Sequence, residues 1–259
     1  MTVFQAIILG VVQGIGEFLP VSSSGHLVLL PWFFHWDTPG LTYDVALHMG
    51  TLLAVAVYFR RDWLKLFRAA LFRGDSDNRR LFWFIAAASL PAAAAGFLLQ
   101  DILENTLRSP LIVAFNLIFF GVLLYAADRW RQLRELDNMT LADALLIGCA
   151  QAFALMPGVS RSGITMTAAR WFSFSRPEAA RFSFLLSTPV IFGAGLFQLR
   201  GISLSALDAP FWAGLAAAAL VGLLAIAFLM RFLQRASFKF FVAYRIILGL
   251  AIAVFYFSR

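Results

Sequence analysis

The segment Phe211-WAGLAAAALVGLLAIAFL-Met230 has no charged residue and provides the ~20 apolar residues that a helix needs to cross a bilayer. Comparable uncharged runs lie at Leu81 to Leu99, Leu111 to Ala127 and Phe182 to Leu199. The sequence is 61% hydrophobic and its mean hydropathy is +0.81, whereas soluble domains are about half apolar and a quarter charged. We therefore predict an all-α integral membrane protein without a separate soluble domain.

The net charge of +7, from 21 basic and 14 acidic residues, lies mainly in short connections between the apolar runs. This distribution is typical of the positive-inside rule and of contact with anionic membrane lipids, and it argues against nucleic acid as a partner. Cys149 is the only cysteine, which excludes an intrachain disulfide. We expect it to be a small buried apolar side chain. Met1 to Leu19 lacks the basic start and the cleavage site of a signal peptide.

An internal repeat is visible at an offset of about 138 positions, the spacing between Gln13 and Gln151. Leu9 to Gln13 then aligns with Ile147 to Gln151, and Ser22 to Gly25 aligns with Ser160 to Gly163. Agreement of Gln, Ser and Gly in one register is more specific than agreement of apolar residues. The chain is therefore predicted to contain two copies of one structural unit.

Loop charges indicate how the two copies are oriented, because cytoplasmic loops are rich in Lys and Arg. Arg60 to Arg80 is strongly basic, whereas its counterpart, Leu199 to Pro210, is not. Conversely, Gln100 to Ser109 is poor in basic residues, whereas Arg231 to Lys239 is rich in them. Phe34 to Thr42 has no Lys or Arg and is predicted to face outward. The copies are thus predicted to be antiparallel across the membrane, with a cytoplasmic linker.

Each repeat is predicted to be a re-entrant helical hairpin followed by three transmembrane helices, because residues 1–33 contain two apolar pieces that are each short for a span. The first repeat covers residues 1–127, the linker 128–140 and the second repeat 141–259. The predicted hairpins are 1–33 and 141–174, and the predicted spans are about 43–59, 81–99, 111–127, 182–199, 211–230 and 240–257.

The hairpin tips hold the polar residues that we expect to form a site. Gln13 and Glu17 share one helix face because they are four residues apart, and Pro20 ends that helix. Ser22 is a good N-cap for the next helix, and Ser160 is its counterpart in the second hairpin. Two helix N-termini with several hydroxyls, an arginine and a histidine are typical of an anion site, and phosphate fits it well.

Ionisable residues elsewhere in the apolar runs have simpler interpretations. Asp44 and His48 either join the site or only cap a helix at the outer surface, and the sequence leaves both alternatives open. Asp143, Arg170 and Arg245 are expected near segment ends, where a long side chain can extend to the headgroups. His35, the remaining histidine, is expected in a loop.

Two motifs resemble signatures of a known family. They are Gln13-Gly-Ile-Gly-Glu17-Phe-Leu-Pro-Val-Ser22-Ser-Ser-Gly-His26 and Pro157-Gly-Val-Ser160-Arg161-Ser162-Gly163. Together with Phe182-Ser-Phe-Leu-Leu and the segment spacing, they resemble the bacterial undecaprenyl-diphosphate phosphatases, the bacitracin-resistance family, over essentially the whole chain. Many members have Glu where this chain has Gln13, which weakens any mechanism that needs two carboxylates.

The resemblance implies a membrane phosphatase that converts undecaprenyl diphosphate to the monophosphate, which is the recycled carrier for cell-wall synthesis. It implies the bacterial cytoplasmic membrane as location and a polyprenyl diphosphate lipid as substrate, with a homodimer as one assembly. The implied catalytic residues are Glu17, Ser23, His26 and Arg161. The remaining polar residues of the two motifs are predicted to bind substrate: Gln13, Ser22, Ser24, Gly25, Ser160, Ser162 and Gly163.

The sequence leaves open the nucleophile, the metal ion and the choice between two functions. Ser23 or His26 could be a covalent nucleophile, or Glu17 with His26 could activate water. A divalent cation, Mg²⁺ or Ca²⁺, could bind at Glu17, although one carboxylate makes a poor cage. The main alternative function is an inverted-repeat transporter or flippase of an anionic lipid or phosphate, because such proteins also use broken helices.

Overall fold

The computed structural model describes residues 1–37, 41–72, 75–99, 109–199 and 207–258. This part of the chain is all-helical. Its α-helices are α1 (Val3–Phe18), α2 (Ser23–Phe34), α3 (Leu41–Tyr58), α4 (Arg60–Phe72), α5 (Ser76–Leu98), α6 (Pro110–Asp128), α7 (Leu141–Ala152), α8 (Arg161–Trp171), α9 (Arg176–Leu199), α10 (Ala209–Phe232) and α11 (Lys239–Phe257).

Five of these helices are long and apolar enough to cross a membrane, namely α5, α6, α9, α10 and α11. Helices α3 and α4 form a sixth candidate span only when taken together, and they are bent by 77° where they meet. The prediction of an all-α, multi-pass membrane protein is confirmed.

The first helix of each predicted hairpin begins with the same cap. Thr2 caps α1 and Thr140 caps α7, and in each case a capping box forms with the residue three positions later, Gln5 and Asp143. These two caps are related by the offset that relates the polar turns. The structure is thus compatible with two copies of one unit, while the division into inverted repeats stays a prediction.

The first helix of each predicted hairpin packs on a helix of the other predicted repeat. Helix α1 packs mainly on α10, whereas α7 packs on α5. Glycine allows the close approach: a Cβ atom at Gly10 would lie 2.6 Å from the carbonyl oxygen of Gly214, and one at Gly14 would lie 2.8 Å from the backbone nitrogen of Gly222. Small residues at such contacts are a general device of membrane helices.

Part of the basic connection predicted between residues 60 and 80 is the helix α4. Leu64, Phe67 and Leu71 are exposed and share one face because they are spaced by three and four residues. The opposite side carries an ion pair between Asp62 and Arg181, 2.6 Å apart. An amphipathic and basic helix of this kind is typical of the membrane interface.

The connections used to predict the topology lie partly outside the described residues. These are the stretches 34–42, 100–109 and 199–210. The sidedness of the chain therefore stays a prediction.

The expectation that Cys149 is buried is wrong, because its side chain is exposed at the protein surface. Its neighbour Gly148 faces Ala88 on α5, in close contact. Successive residues of a helix point about 100° apart. The side chain of Cys149 is consequently turned away from α5.

Candidate active site

The two predicted polar turns have the same backbone geometry. Ser22 caps α2 with φ 74°, and Ser160 caps α8 with φ 73°. Each capping oxygen accepts a hydrogen bond from the backbone N–H three residues later, at Gly25 (3.3 Å) and at Gly163 (3.1 Å). Positive φ is uncommon for residues with a Cβ atom, so the caps help to hold the turns. The first residues of these two helices, Ser23 and Arg161, both contact Glu17, so the two helix N-termini lie close together, as an anion site requires.

The two turns are in direct contact although they are far apart in the sequence. The Gly158 N–H donates to the Ser22 hydroxyl oxygen at 3.1 Å, and the Ser162 hydroxyl donates to the carbonyl oxygen of Leu19 at 3.1 Å. Gly158 has φ +93°, which favours glycine. The predicted convergence of the two motifs at one place is therefore seen in the structure.

Glu17 lies at the centre of the hydrogen-bonded cluster and is only 6% exposed. One carboxylate oxygen, Oε1, is 2.9 Å from Nη2 of Arg161. The other, Oε2, accepts hydrogen bonds from Gln13 Nε2 at 3.0 Å and from the Ser23 hydroxyl at 2.8 Å. A buried carboxylate is costly unless it is paired and hydrogen-bonded. Here both oxygens have such partners, and a hydroxyl lies beside a potential base.

Arg161 links the second turn to Glu17 and to α9. Its Nη1 donates to the carbonyl oxygen of Ser183 at 2.9 Å, and its Nη2 also approaches the carbonyl oxygen of Glu17 at 3.4 Å. Its Nε is buried and has no hydrogen-bond partner among the described residues. The guanidinium therefore has a donor left for a further acceptor.

His26 is placed by contacts other than those of Glu17. Its Nδ1 is 2.7 Å from the carbonyl oxygen of Ser22, and its Nε2 is 2.6 Å from the hydroxyl oxygen of Tyr244 on α11. The His26 and Tyr244 rings are nearly parallel, with 5.8 Å between centroids and 11° between planes. His26 is thus connected to the Glu17 cluster through the first turn.

His48, which the sequence left open, lies at the cluster. Its Nε2 is 4.0 Å from Oε2 of Glu17. Its Nδ1 is 2.8 Å from the carbonyl oxygen of Asp44, one helical turn earlier. Since a carbonyl only accepts, Nδ1 carries the proton and Nε2 faces the carboxylate.

Arg245 is fully buried beneath both turns, so the expectation that it extends to the headgroups is wrong. It lies well inside α11, about two turns from its start. All its described hydrogen bonds go to backbone carbonyl oxygens, at 3.0 to 3.3 Å. The acceptors belong to Pro20, Asn116, Leu117, Gly158 and Val159. Two arginines and one carboxylate leave this cluster with excess positive charge, which suits an anion.

Comparison with known proteins identifies a family that matches this chain over nearly its whole length. The family model described as bacitracin resistance protein BacA matches residues 6–251. The chain belongs to the BacA family. A relative from Moorella thermoacetica is 51% identical over 261 residues, which is 100% of each chain. A relative from Desulforudis audaxviator is 52% identical over 255 residues, 98% of each chain, and both proteins are named undecaprenyl-diphosphatase. The family resemblance predicted from the sequence is confirmed.

Arg170 and Asp143 of this BacA family chain are both buried, although the sequence analysis expected their side chains to extend to the headgroups. Arg170 is fully buried and donates to the carbonyl oxygens of Phe174 and Trp130, so its expected extension to the headgroups is wrong. Asp143 lies at the start of α7, as expected, but it is buried and pairs with Arg134 at 2.5 Å. Both residues fasten the linker to the second hairpin, and neither contacts Glu17 among the described contacts.

Two polar residues that support the second turn in this BacA chain were not singled out from the sequence. Asn116 Nδ2 on α6 donates to the carbonyl oxygen of Pro157 at 2.8 Å. Thr165 on α8 lies 2.7 Å from Ser183, hydroxyl to hydroxyl, beside the carbonyl that Arg161 contacts. For Asn116 the available signal was its isolated position within the otherwise apolar α6, whereas Thr165 lies among other polar residues of α8.

The described residues do not fit a resident divalent cation. Among them, no group of three or more His, Cys, Asp or Glu side chains could hold a metal ion. Both oxygens of Glu17 already accept hydrogen bonds, and Arg161 places a positive charge next to one of them. Ca²⁺ and Mg²⁺ need several oxygen ligands. The Mg²⁺ or Ca²⁺ ion that the sequence analysis placed at Glu17 thus gains no support from the described residues, and it stays an untested prediction.

Proposed function

We propose that this chain hydrolyses undecaprenyl diphosphate, or a similar polyprenyl diphosphate, to the monophosphate and inorganic phosphate. Membership of the BacA family and relatives named undecaprenyl-diphosphatase support this activity. The observation that carries it is the buried contact of the Glu17 carboxylate with both the Ser23 hydroxyl and the Arg161 guanidinium. The product would be the lipid carrier of cell-wall synthesis in the bacterial cytoplasmic membrane, and its recycling would confer bacitracin resistance.

Ser23 is the nucleophile in this proposal, with Glu17 as its general base. The 2.8 Å hydrogen bond from the Ser23 hydroxyl to Oε2 of Glu17 supports this assignment. As the Ser23 oxygen attacks the terminal phosphorus, Glu17 takes the hydroxyl proton and the bond from phosphorus to the bridging oxygen breaks. The lipid monophosphate then leaves, and water hydrolyses the phosphoserine to release phosphate and restore the hydroxyl.

Charge neutralisation is the second part of the proposal, because phosphoryl transfer depends mainly on positioning and electrostatics. Arg161 would donate to the oxygens of the transferred group, and its unpartnered Nε supports this role. The N-termini of α2 and α8 would add backbone N–H donors. The lipid tail would lie sideways among the apolar helices.

Release of inorganic phosphate by the purified protein in detergent tests the function. Wild-type protein should turn over undecaprenyl diphosphate, whereas Glu17→Gln, Ser23→Ala, His26→Ala and Arg161→Ala should lose most of the rate. His35→Ala is a suitable control, because His35 is exposed at the end of α2. A transporter or flippase has no need of turnover in detergent. Binding of the lipid without phosphate release would therefore contradict the proposal and favour that alternative.

Trapping the intermediate tests the nucleophile separately. Brief mixing with substrate that carries a labelled terminal phosphate, followed by acid quenching, should leave label on the peptide that contains Ser23. Absence of labelled protein at full turnover, together with an active Ser23→Ala variant, would instead indicate direct attack by water that Glu17 activates.

A further inference from the structure

Tyr244 is one of two hydrogen-bond partners of the His26 imidazole, and the other partner, the Ser22 carbonyl oxygen, determines the tautomer of the neutral ring. The carbonyl oxygen of Ser22 can only accept a hydrogen bond, and it lies 2.7 Å from Nδ1 of His26. The proton of the neutral ring is therefore on Nδ1. Nε2 then carries the lone pair and accepts a hydrogen bond from the Tyr244 hydroxyl at 2.6 Å. Both ring nitrogens are thus occupied.

We propose that Tyr244 is a positioning residue of the active site, which sets the orientation and the hydrogen-bonding state of His26. This proposal rests on the proposed phosphatase function. The two ring planes are nearly parallel, with 11° between them, and the Tyr244 hydroxyl is the hydrogen-bond partner of Nε2, so that Tyr244 limits rotation of the imidazole. Tyr244 acts through His26 and is not itself assigned a contact with substrate.

A hydroxyl suits this position because it can both donate and accept. Next to neutral His26, the Tyr244 hydroxyl donates to Nε2. If Nε2 gains a proton, the same oxygen accepts from it after the hydroxyl hydrogen rotates away. Tyr244 can therefore remain the partner of His26 in both protonation states, whereas Phe at this position would keep the aromatic ring but could not make the hydrogen bond.

The backbone that carries Tyr244 is held firmly against both turns. The next residue, Arg245, donates to carbonyl oxygens of the first turn at Pro20 and of the second turn at Gly158 and Val159. The stretch of α11 that carries Tyr244 is thereby anchored beside the first turn. The Tyr244 side chain remains partly accessible, since 39% of it is exposed.

Tyr244→Phe tests the proposal, and Tyr256→Phe is a matched control. Tyr256 lies on the same helix and is 40% exposed, and its described ring contact is with Phe257. We expect Tyr244→Phe to lower kcat by about tenfold or more with KM little changed, and Tyr256→Phe to leave both constants near those of the wild type. Near-normal kcat in folded Tyr244→Phe would overturn the proposal.

A double-mutant cycle separates positioning from packing. Because Tyr244 acts through His26, the variant that combines His26→Ala with Tyr244→Phe should be no slower than His26→Ala alone. If the two losses instead multiply, Tyr244 acts independently of His26 and the proposal is wrong.

A spectroscopic measurement tests the contact without relying on turnover. The chain has three histidines, so ¹⁵N-histidine labelling with one His→Gln variant at a time assigns the signals. The His26 signals should report an Nδ1–H tautomer, and the Nε2 signal should shift in Tyr244→Phe but not in Tyr256→Phe. An unchanged Nε2 signal in Tyr244→Phe would contradict the contact. Wild-type protein that releases no phosphate would instead contradict the proposed function.

Discussion

At the scale of single residues, the site depends on a charge balance that is unusual inside a membrane. The Glu17 carboxylate and the Arg161 guanidinium are both largely buried and pair at 2.9 Å. Arg245 is a second buried cation that is satisfied by backbone carbonyls. Removal of either partner of a buried ion pair leaves an uncompensated charge, which costs more than the pair contributed.

Arg161 is therefore expected to affect both stability and turnover. Arg161→Lys keeps the charge but cannot donate to Ser183 and Glu17 at once in the same planar geometry, so its kcat should fall by about a hundredfold or more. Arg161→Ala should be slower still and should destabilise the protein by about 3–5 kcal/mol. Phosphate release and thermal unfolding in detergent measure the two effects.

The double variant Glu17→Gln with Arg161→Ala is the control for this interpretation. It removes both charges and should regain part of the stability lost in Arg161→Ala, while remaining inactive. An Arg161→Ala protein that is less stable yet turns over normally would show that Arg161 supports only the fold.

The residues of the two motifs could be predicted from the sequence because ionisable and hydroxyl groups are rare in so apolar a chain. Glu17, Ser23 and Arg161 do lie in contact. For His48 the sequence left two alternatives open, and Tyr244 was not predicted at all, because both contributions depend on how α3 and α11 pack. For Arg245, sequence position alone did not distinguish a buried cation from one that extends to the headgroups.

At the scale of the helices, the breaks and the close contacts determine where the site lies. Pro20 and the capping serines predicted the break between α1 and α2, and the structure places the first turn there. Helix α4 was not predicted, because its basic residues were interpreted as a connection between spans. Its amphipathic pattern becomes evident only when the apolar residues are placed on one face.

Gly10 tests the close packing of α1 on α10. A Cβ atom there would lie 2.6 Å from the carbonyl oxygen of Gly214 and 2.8 Å from Cβ of Ala217. Gly10→Ala should therefore destabilise the protein by about 1–3 kcal/mol, despite the better helix propensity of alanine. Thermal unfolding in detergent should show a lower midpoint.

Gly193 on α9 is the matched control, because a Cβ atom there would have no neighbour within 4 Å. Gly193→Ala should leave the midpoint unchanged or raise it slightly. Equal destabilisation by the two substitutions would mean that helix propensity, and not the contact between α1 and α10, determines the effect.

At the scale of the whole molecule, the predicted topology can be tested in intact cells. Loop charges place residue 75 in the cytoplasm and residue 105 outside. After Cys149→Ala, a single cysteine at position 105 should react with a membrane-impermeant thiol reagent, whereas one at position 75 should react only after the cells are opened. The reverse pattern would mean that the chain is inserted with the opposite orientation.

Chelation tests whether a metal ion is part of the folded protein. Because the described residues offer no cage of His, Cys, Asp or Glu side chains, removal of divalent cations with EDTA should leave the thermal unfolding midpoint unchanged. A marked decrease that Mg²⁺ or Ca²⁺ reverses would show a resident ion after all.

The contact of α1 with a helix from the second half of the chain has a consequence for biosynthesis. Helix α1 leaves the ribosome well before its main partner, α10, has been translated. Until α10 has been synthesised, the glycine-lined face of α1 therefore contacts lipid or another part of the protein. Glu17 likewise lacks Arg161 until the second half has been synthesised. The nascent protein thus reaches the membrane long before it can acquire activity.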